Sequence, residues 1–269
     1  GGSIPVTTEY AVLELAAGSL ADLLLYGPSF TWPDRLRLYR DVVKGVHQMH
    51  VKRIVHRDIK AENGLVGENP PAAKIADLGR AHDTTEPPRF AADWYLAGRG
   101  DPHFMPFELL WLQGTQDPED QARADVYLLG SLLFEVATGV ALTPLVTLDP
   151  AAVLTANAAL PEADRRRDWI AHIPLLRDAA VAANESFAQQ LPPVIAHRAT
   201  RLLGLLTDPD PANRIPRRSG APGYHADAWD LQWLLEMIDG LRRAIDPALR
   251  KRYISTRPAH KHGRPGARR

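Results

Sequence analysis

Apolar residues recur at helical spacing in the first part of the chain. The positions are Leu36, Tyr39, Val43 and Val46. Intervals of three and four residues place them on one face of an α-helix. Just before them, Thr31 is a capping residue, Pro33 is an early helix proline, and Asp34 lies three positions after the cap. We therefore predict an amphipathic helix from about Trp32 to about His50.

Two shorter patterns predict extended structure. Residues 9–15 form a short apolar run that is closed by Ala-Gly-Ser at 17–19, which is typical of a buried strand ending in a connector. Further along, two apolar pieces at 64–66 and 74–76 flank the turn-rich sequence Gly-Glu-Asn-Pro-Pro at 67–71. This arrangement predicts a β-hairpin.

The C-terminal half has helical patterns. From Asp125 to about Thr138, apolar residues occur on nearly every side, which predicts a helix buried in the middle of the domain. The Ala- and Leu-rich stretch up to residue 206, interrupted by prolines, predicts several further helices. After a Pro- and Gly-containing break at 216–223, we expect Asp227 to cap a last amphipathic helix. Residues 80–104, which contain prolines and glycines, predict a long irregular loop.

The composition is that of a globular protein. The 269 residues are 45% hydrophobic, which suits one large domain or two small ones with a packed core. There is no cysteine, so neither disulfides nor cysteine-bound metal can hold the fold. No secretory signal and no apolar run of membrane-spanning length is present. We therefore predict a soluble cytoplasmic protein without a membrane segment.

Charge is balanced overall but uneven along the chain. Lysine plus arginine and aspartate plus glutamate both number 32, so we expect no binding to nucleic acid. Eight of the basic residues lie between 250 and 269, a stretch without any acidic residue. We predict that residues 249–269 form a basic, disordered tail. Residues 1–8 are interpreted as a remnant or a cloning scar, and the Ala- and Arg-rich composition indicates a high-GC bacterial source.

The chemically informative stretch is Ile-Val-His-Arg-Asp-Ile-Lys-Ala-Glu-Asn at 54–63, followed by Lys-Ile-Ala-Asp-Leu-Gly at 74–79. Phosphoryl transfer from Mg-ATP needs a carboxylate that orients the attacking hydroxyl, oxygen ligands for the metal, and a cation near the phosphate. Asp58 can accept the hydroxyl hydrogen bond and Lys60 can offset the phosphate charge. Asn63 and Asp77 can hold Mg²⁺, and the predicted hairpin would bring these two residues together.

These residues resemble the catalytic loop and the metal-binding motif of the protein kinase family. Lys60, two positions after Asp58, resembles the Ser/Thr branch rather than the tyrosine branch. The resemblance implies a mainly α fold, namely a kinase-like C-terminal lobe. This lobe would have a short β-hairpin at the catalytic site, one remaining hinge strand and an extra C-terminal helix. It also implies ATP and Mg²⁺ as cofactors and a protein substrate with a Ser or Thr hydroxyl.

The resemblance covers roughly residues 9–216 and assigns ATP-binding roles near the start of the chain. It implies that Leu13 is the gatekeeper and that Glu14 and Ala16 offer hinge backbone groups to adenine. Leu65 would form the floor beneath the adenine. For the hinge run alone, a plain buried strand is the alternative interpretation.

The resemblance also assigns structural roles. Residues 100–108 resemble a substrate-docking segment that ends in Glu108, and residues 210–214 resemble a late Asp-Pro-x-x-Arg element. We therefore predict a buried ion pair between Glu108 and Arg214, in which loss of one partner would leave a costly unpaired charge. Asp125, at the start of the central helix, would hold the backbone of the catalytic loop.

His56 and Arg57 complete a His-Arg-Asp triplet with Asp58. In the family, the arginine of this triplet usually meets a phosphorylated loop residue. Here the usual position is Ala97. Thr84, Thr85 and Tyr95 are alternative candidates for phosphorylation.

Ala97 is one of three departures from the family pattern that affect the expected activity. Only about nine residues precede the hinge, and the sequence contains neither the Gly-rich loop nor the small-lobe lysine and its glutamate partner. We therefore expect a large lobe without most of the small lobe. In addition, Asp101 stands where a threonine is usual, and its carboxylate would repel Asp58 unless Lys60 or a metal offsets it.

Two hypotheses follow. In the first, the parent protein is a Ser/Thr protein kinase (EC 2.7.11 type) with a kinase domain at 9–216, an additional helix at 217–248 and the tail. In the second, the chain is a pseudokinase or a truncated lobe that acts as a protein-binding module. The intact catalytic set favours the first, whereas the missing small lobe favours the second. A small-molecule phosphotransferase is disfavoured, because Arg57 and the docking segment indicate protein substrates.

Overall fold

The computed structural model describes residues 14–68, 71–86, 101–114, 117–216, 226–247 and 251. The helices in these ranges are α1 (Leu20–Leu24), α2 (Trp32–Val51), α3 (Phe107–Leu110), α4 (Pro118–Thr138), α5 (Thr143–Thr147), α6 (Pro150–Ala158), α7 (Glu162–Gln189), α8 (Pro193–Leu206) and α9 (Gln232–Ile245). The strands are β1 (Gly18–Ser19), β2 (Ile54–Val55), β3 (Gly64–Val66), β4 (Ala73–Ile75) and β5 (His82–Asp83). The expectation of a mainly helical lobe with a small sheet is confirmed.

Helix α2 forms where the apolar spacing predicts it. The Thr31 side chain caps its start by accepting a hydrogen bond from the backbone N–H of Asp34. The four apolar positions that predict the helix are all buried. One of them, Tyr39, also donates its hydroxyl to the carbonyl oxygen of Leu129 at 3.0 Å. The predicted face of α2 therefore packs against the central helix.

The central helix α4 is longer than predicted. It begins at Pro118, seven residues before Asp125, because Asp117 accepts hydrogen bonds from the N–H groups of Glu119 and Asp120. It ends at Gly139, whose positive φ of 78° closes the helix. Fifteen of its residues are buried, as the all-round apolar pattern indicates. The helix forms the middle of the domain.

Two small antiparallel sheets lie beside the helices. The predicted hairpin forms between β3 and β4, with Leu65 opposite Lys74, and β1 pairs with the other edge of β3. The second sheet joins β2 to β5, with Val55 opposite His82. Strand β5 lies in the stretch that the sequence predicts to be irregular, so the start of that prediction is wrong. Residues 87–100 lie outside the described residues.

The predicted N-terminal strand is wrong in the part that the structure describes. Residues 14–16 have no strand structure, and Leu15 is 93% exposed rather than buried. The strand pairing occurs instead at Gly18 and Ser19, which the sequence pattern places in the connector. Ser19 then caps α1 by exchanging hydrogen bonds with Asp22. The first part of the predicted strand, residues 9–13, lies outside the described residues.

The remaining helices follow the Ala- and Leu-rich stretch, with one difference. Pro174 does not interrupt the chain but lies inside α7, a helix of 28 residues. Helix α8 packs against α4 and α7. Its buried positions include Ile195, Leu202 and Leu206.

The last helix packs on α2, but its start differs from the prediction. Asp227 accepts hydrogen bonds from the N–H groups of Trp229 and Asp230, and so caps a turn that precedes the helix. Helix α9 itself begins at Gln232. Arg40 of α2 donates two hydrogen bonds to the carboxylate of Asp239 at 2.7 and 2.9 Å, which fixes α9 against α2.

Candidate active site

The candidate catalytic loop runs between β2 and β3 and is closed by a backbone hydrogen bond. After Val55 the chain passes through Asp58 to a 3₁₀ turn at Ala61–Asn63, from which β3 begins. The Ala76 N–H donates to the carbonyl oxygen of Asn63 at 2.8 Å, just after β4 ends. Because Asp77 is the next residue, the hairpin brings the two predicted metal-binding residues to the same end of the sheet.

Asp58, the predicted catalytic carboxylate, is 8% exposed. The Asn63 amide nitrogen donates to its Oδ2 at 3.2 Å and to its carbonyl oxygen at 2.7 Å. The Arg80 Nε lies 3.7 Å from the same Oδ2. These contacts fix one carboxylate oxygen and do not use the other. Asp58 can therefore accept a hydrogen bond from an incoming hydroxyl.

The donor set formed by Asn63 and Asp77 fits a hard cation. Because the Asn63 amide nitrogen is directed at Asp58, its amide oxygen is available as a ligand. Asp77 is exposed and has a left-handed backbone, with φ 59° and ψ 68°. Its Oδ1 accepts a hydrogen bond from the Gly79 N–H, which orients the carboxylate. Oxygen ligands of these two kinds are the ones that Mg²⁺ prefers.

Lys60 lies among carboxylates on the same loop. Its Nζ is 2.8 Å from the Glu62 carboxylate and 5.6 Å from the ring centre of Phe104. Burial lowers the pKa of Lys60, but the hydrogen bond to Glu62 and the charges of Asp58 and Asp101 outweigh this effect and raise it. Lys60 is therefore charged at neutral pH, as the predicted role requires.

Asp101, the departure from the family pattern, has its own partners. Its Oδ1 accepts the His103 N–H at 3.0 Å and lies 2.7 Å from the His103 ring nitrogen Nδ1. Burial raises the pKa of Asp101, but these contacts and the charge of Lys60 outweigh burial, and the pKa is lowered. The charge of Lys60 thus offsets the repulsion between the carboxylates of Asp101 and Asp58.

His56 links the catalytic loop to the chain beside Asp77. Its ring Nε2 lies 2.9 Å from the Ala76 carbonyl oxygen, and its Nδ1 accepts the Asp58 N–H at 3.3 Å. A carbonyl oxygen only accepts, so this arrangement assigns the neutral tautomer with the proton on Nε2. His56 is fully buried.

Asp125 lies where the resemblance implies that it holds the loop backbone. Its Oδ2 accepts the His56 N–H at 2.7 Å and its Oδ1 accepts the Arg57 N–H at 2.8 Å. Arg57 has a positive φ of 67°, a conformation that these hydrogen bonds stabilise. The central helix therefore fixes the residue directly before Asp58.

The Arg57 side chain donates to the Arg80 carbonyl oxygen at 2.7 Å. The candidate phosphorylation residues Thr84 and Thr85 are described, the first partly exposed and the second exposed. The Thr84 hydroxyl donates to the Arg53 carbonyl oxygen and the Thr85 hydroxyl donates to the Asp83 carboxylate. Ala97 and Tyr95 lie outside the described residues. The proposed pairing of Arg57 with a phosphorylated residue stays a prediction.

The structure contains the predicted ion pair between Glu108 and Arg214. Two hydrogen bonds of 2.6 and 2.5 Å join the guanidinium to both carboxylate oxygens. Side-chain exposure is 0% for Arg214 and 2% for Glu108. The pair ties α3 to the turn after α8, so it supports the segment that follows Asp101.

The residues predicted to contact adenine are only partly described. Leu13 lies outside the described residues. Ala16 precedes Ala17, whose N–H donates to the Val66 carbonyl oxygen at 2.9 Å. Leu65, on the neighbouring strand, is partly exposed. Ala16 therefore lies just before β1, the strand that pairs with the strand carrying Leu65.

Glu14 is described, and its side chain forms an ion pair with Lys74 of β4. Both side chains are about two-thirds exposed, at 67% and 68%. The ion pair leaves the backbone of Glu14, the group assigned to adenine, unaffected.

Sequence reasoning missed two residues that hold the loop. Glu135 of α4 accepts the Ala61 N–H at 2.9 Å. Burial raises the pKa of Glu135 from 4.5 to about 7; the Ala61 N–H opposes this shift and the charge of Glu62 reinforces it. His50 of α2 lies 2.9 Å from Asp125. The signal available in the sequence was a glutamate and a histidine within helices whose neighbouring positions are apolar.

The fold and this site define a protein kinase lobe, and comparison with known proteins agrees. The family described as "Protein kinase domain" matches residues 6–219. Because this match covers most of the 269 residues, the chain belongs to the protein kinase family.

Curated relatives are also kinases. Dual specificity testis-specific protein kinase 1 of Rattus norvegicus is 31% identical over 145 residues, which are 53% of this chain and 22% of that protein. Receptor-like protein kinase HERK 1 of Arabidopsis thaliana is 35% identical over 118 residues, 42% of this chain and 13% of that protein. A membrane-associated tyrosine- and threonine-specific cdc2-inhibitory kinase of Drosophila melanogaster is 30% identical over 128 residues, 48% of this chain and 22% of that protein.

The chain thus matches less than a quarter of the length of these relatives. They come from animals and a plant, so they lend no support to the bacterial source predicted from composition. Among the described residues, no helix combines the length and the apolarity needed to cross a bilayer.

Proposed function

We propose that the complete protein containing this chain transfers the γ-phosphoryl group of Mg-ATP to a Ser or Thr hydroxyl of a protein substrate. The observation that carries the proposal is the geometry of Asp58. Asn63 and Arg80 fix one of its carboxylate oxygens, and the backbone before it is anchored on Asp125. Such preorganisation is the main contribution of a protein to phosphoryl transfer.

In the proposed reaction, the substrate hydroxyl donates a hydrogen bond to Asp58 and attacks the γ-phosphorus, while ADP leaves. The proton of the hydroxyl passes to Asp58. Lys60, charged and next to the same carboxylate, offsets the negative charge of the transferred group.

Asn63 and Asp77 would hold Mg²⁺, which supplies electrostatic stabilisation of the phosphate oxygens when it is bound. The Ala76–Asn63 hydrogen bond keeps the two residues at one end of the hairpin. This placement supports ATP and Mg²⁺ as the cofactors.

Specificity for Ser and Thr rests on Lys60, the feature that resembles the Ser/Thr branch. The printed names of the relatives include dual specificity and tyrosine- and threonine-specific kinases, so the acceptor residue requires a direct test. The alternative, a protein-binding module without catalysis, is disfavoured by the intact and well-held catalytic set.

The substitution Asp58→Asn in the complete protein tests the role of Asp58. Asparagine has nearly the same shape, so the fold should persist, but it cannot take the proton. We expect transfer to fall by at least about 100-fold, measured as labelled phosphate incorporated into a protein substrate. Asp164→Asn is the control, because Asp164 lies at the surface near the start of α7 with 41% side-chain exposure, and this variant should retain full activity. Full activity of Asp58→Asn would show that the role assigned to Asp58 is wrong.

A further inference from the structure

A short segment beyond the family-matched residues packs against the last turn of α2. The family match ends at residue 219, whereas residues 226–231, here called the latch segment, precede α9. Within the latch segment, Ala228 is fully buried in a small cluster with Val55 and Ala122. Val55 is the residue directly before His56, so the latch segment reaches the base of the catalytic loop.

The latch segment and Asp125 contact the two ring nitrogens of His50. The His50 Nδ1 lies 2.6 Å from the Ala228 carbonyl oxygen, and its Nε2 lies 2.9 Å from Asp125 Oδ2. Burial raises the pKa of Asp125, but the hydrogen bond and charge of His50 and the His56 N–H outweigh it, so the carboxyl is ionised. Both ring nitrogens of His50 therefore face oxygen atoms, one of a backbone carbonyl and one of a carboxylate, and these oxygens accept hydrogen bonds.

The buried pair of His50 and Asp125 is hydrogen-bonded to the backbone of the catalytic loop. His50 and Asp125 both have 0% side-chain exposure, so their polar atoms depend on hydrogen bonds within the protein rather than on water. Asp125 uses its two oxygens for the N–H groups of His56 and Arg57 at 2.7 and 2.8 Å. A continuous series of hydrogen bonds therefore runs from the Ala228 carbonyl to the residue before Asp58.

Side chains of the latch segment keep the Ala228 carbonyl in place. The rings of Trp229 and His50 are in an edge-to-face contact with a centroid distance of 5.7 Å. The Arg53 guanidinium lies over the Trp229 ring, 4.6 Å from its centroid. Asp227 closes the turn through the Trp229 N–H at 2.7 Å. The Leu231 N–H donates to His47 of α2 at 3.2 Å. The turn is thus fixed to α2 at both ends.

We propose that the latch segment is a positioning element of the catalytic loop, in which Ala228 and Trp229 hold His50 so that His50 and Asp125 fix the backbone of His56 and Arg57. His50 and Trp229 are accordingly positioning residues that act through Asp125. A kinetic test of this role rests on the proposed kinase function, whereas a test by amide exchange does not.

A double-mutant cycle in the complete protein tests whether Trp229 acts through His50. The variants are His50→Phe, which keeps a ring but donates no hydrogen bond, Trp229→Ala, and the two together. We expect each single variant to raise amide hydrogen exchange at His56 and Arg57 by about tenfold or more, because His50→Phe removes the hydrogen bond to Asp125 and Trp229→Ala removes the ring that holds His50 in place. The double variant should be no worse than His50→Phe alone.

The kinetic readout should show the same coupling. We expect kcat to fall by about tenfold in both single variants, with the KM for ATP little changed, and no further fall in the double variant. Trp229→Phe, which keeps an aromatic ring against His50, should restore both kcat and amide protection. If Trp229→Ala does not fold, Trp229→Leu, which removes the aromatic ring but fills more of its space, takes its place in the cycle.

The matched control is Trp32→Ala, since Trp32 is also partly buried and also has an arginine, Arg35, over its ring, but at the opposite end of α2. It should leave the His56 and Arg57 amides protected. Additive effects in the cycle, or unchanged exchange at these amides in Trp229→Ala, would overturn the proposal. If the wild-type protein transfers no phosphate, the proposed function fails, and the exchange cycle still decides whether the latch segment positions the loop.

Discussion

Glu108 and Arg214 are two charged residues in the interior of the domain, and their side chains are hydrogen-bonded to each other. Arg214 also donates to the carbonyl oxygens of Asp208 and Arg123 at 2.9 and 3.2 Å. Removing one partner of such a pair leaves a buried charge without compensation, whereas replacing both is far less costly.

Arg214→Met should therefore destabilise the protein by about 3–5 kcal/mol, because it leaves the Glu108 carboxylate buried and unpaired. The double variant Glu108→Leu with Arg214→Met should recover a large part of this loss. Urea unfolding of the three proteins measures both values. Equal destabilisation in the single and the double variant would contradict the interpretation.

Glu135 gives the protein a predictable dependence on pH. Its pKa is raised from 4.5 to about 7 in the folded state. Below pH 4.5 the carboxyl is protonated in both the folded and the unfolded state, so folding has no ionisation penalty. Between pH 4.5 and 7 the unfolded chain ionises first, so the free energy of unfolding falls as pH rises. Above pH 7 the penalty is constant.

Glu135→Gln should remove this dependence while keeping an acceptor for the Ala61 N–H. The stability advantage of the variant over the wild-type protein should grow between pH 4.5 and 7, to about 3 kcal/mol at most. Chemical unfolding at several pH values measures this difference. A difference that does not change with pH would show that Glu135 is ionised in the folded protein throughout this range.

At this scale, local motifs identified the residues of the loop but not the residues that support it. Asp58, Lys60 and Asn63 lie within six residues, so their spacing alone indicated a shared site. His50 and Glu135 hold the loop only because α2 and α4 pack against it. Glu135 is 74 residues away from Ala61, from whose N–H it accepts a hydrogen bond. Such contacts depend on helix packing, which no local pattern encodes.

At the scale of elements, the packing of α4 on α8 depends on one glycine. A Cβ atom added at Gly130 would lie 2.7 Å from Leu206 Cβ and 2.6 Å from Thr207 Cγ2. Leu206 Cβ is attached directly to the backbone and cannot move independently of α8. Gly204, in contrast, lies inside α8 with no neighbour within 4 Å of an added Cβ.

Gly130→Ala should destabilise the protein by about 1–3 kcal/mol, because it forces the two helices apart. Its matched control, Gly204→Ala, should stabilise it by about 0.5–1 kcal/mol, because alanine loses less backbone entropy in a helix. Thermal or chemical unfolding measures both changes. Equal changes in the free energy of unfolding of the two variants would show that α4 and α8 do not approach each other closely at Gly130.

The elements were predictable where local chemistry decides them. Thr31 caps α2 as its sequence indicates, because the capping side chain and the first turn are adjacent. The prediction that Asp227 caps the last helix is wrong, because an aspartate side chain can close an isolated turn as readily as it can start a helix. The sequence predicts that prolines interrupt the Ala- and Leu-rich stretch, but α7 continues through one of them, Pro174.

At the scale of the whole molecule, the fold brings distant parts of the chain to one loop. Helix α4 holds the catalytic loop through hydrogen bonds of Asp125 and Glu135 to its backbone. His50 of α2 contacts Asp125, and the Ala228 carbonyl of the latch segment contacts His50 from the C-terminal part of the chain. The motif residues predicted a kinase lobe. The contribution of the latch segment was not predictable, because its contact with His50 is made by a backbone carbonyl that has no sequence signature.

Transfer of labelled γ-phosphate by the complete protein, followed by identification of the labelled amino acids, tests the central claim most directly. The wild-type protein would be given Mg-ATP and a mixture of peptides that offer serine, threonine and tyrosine hydroxyls. We predict label on serine or threonine that requires Mg²⁺ and is lost in Asp58→Asn. A folded protein that transfers no phosphate with any divalent cation, or that labels only tyrosine, would contradict the account.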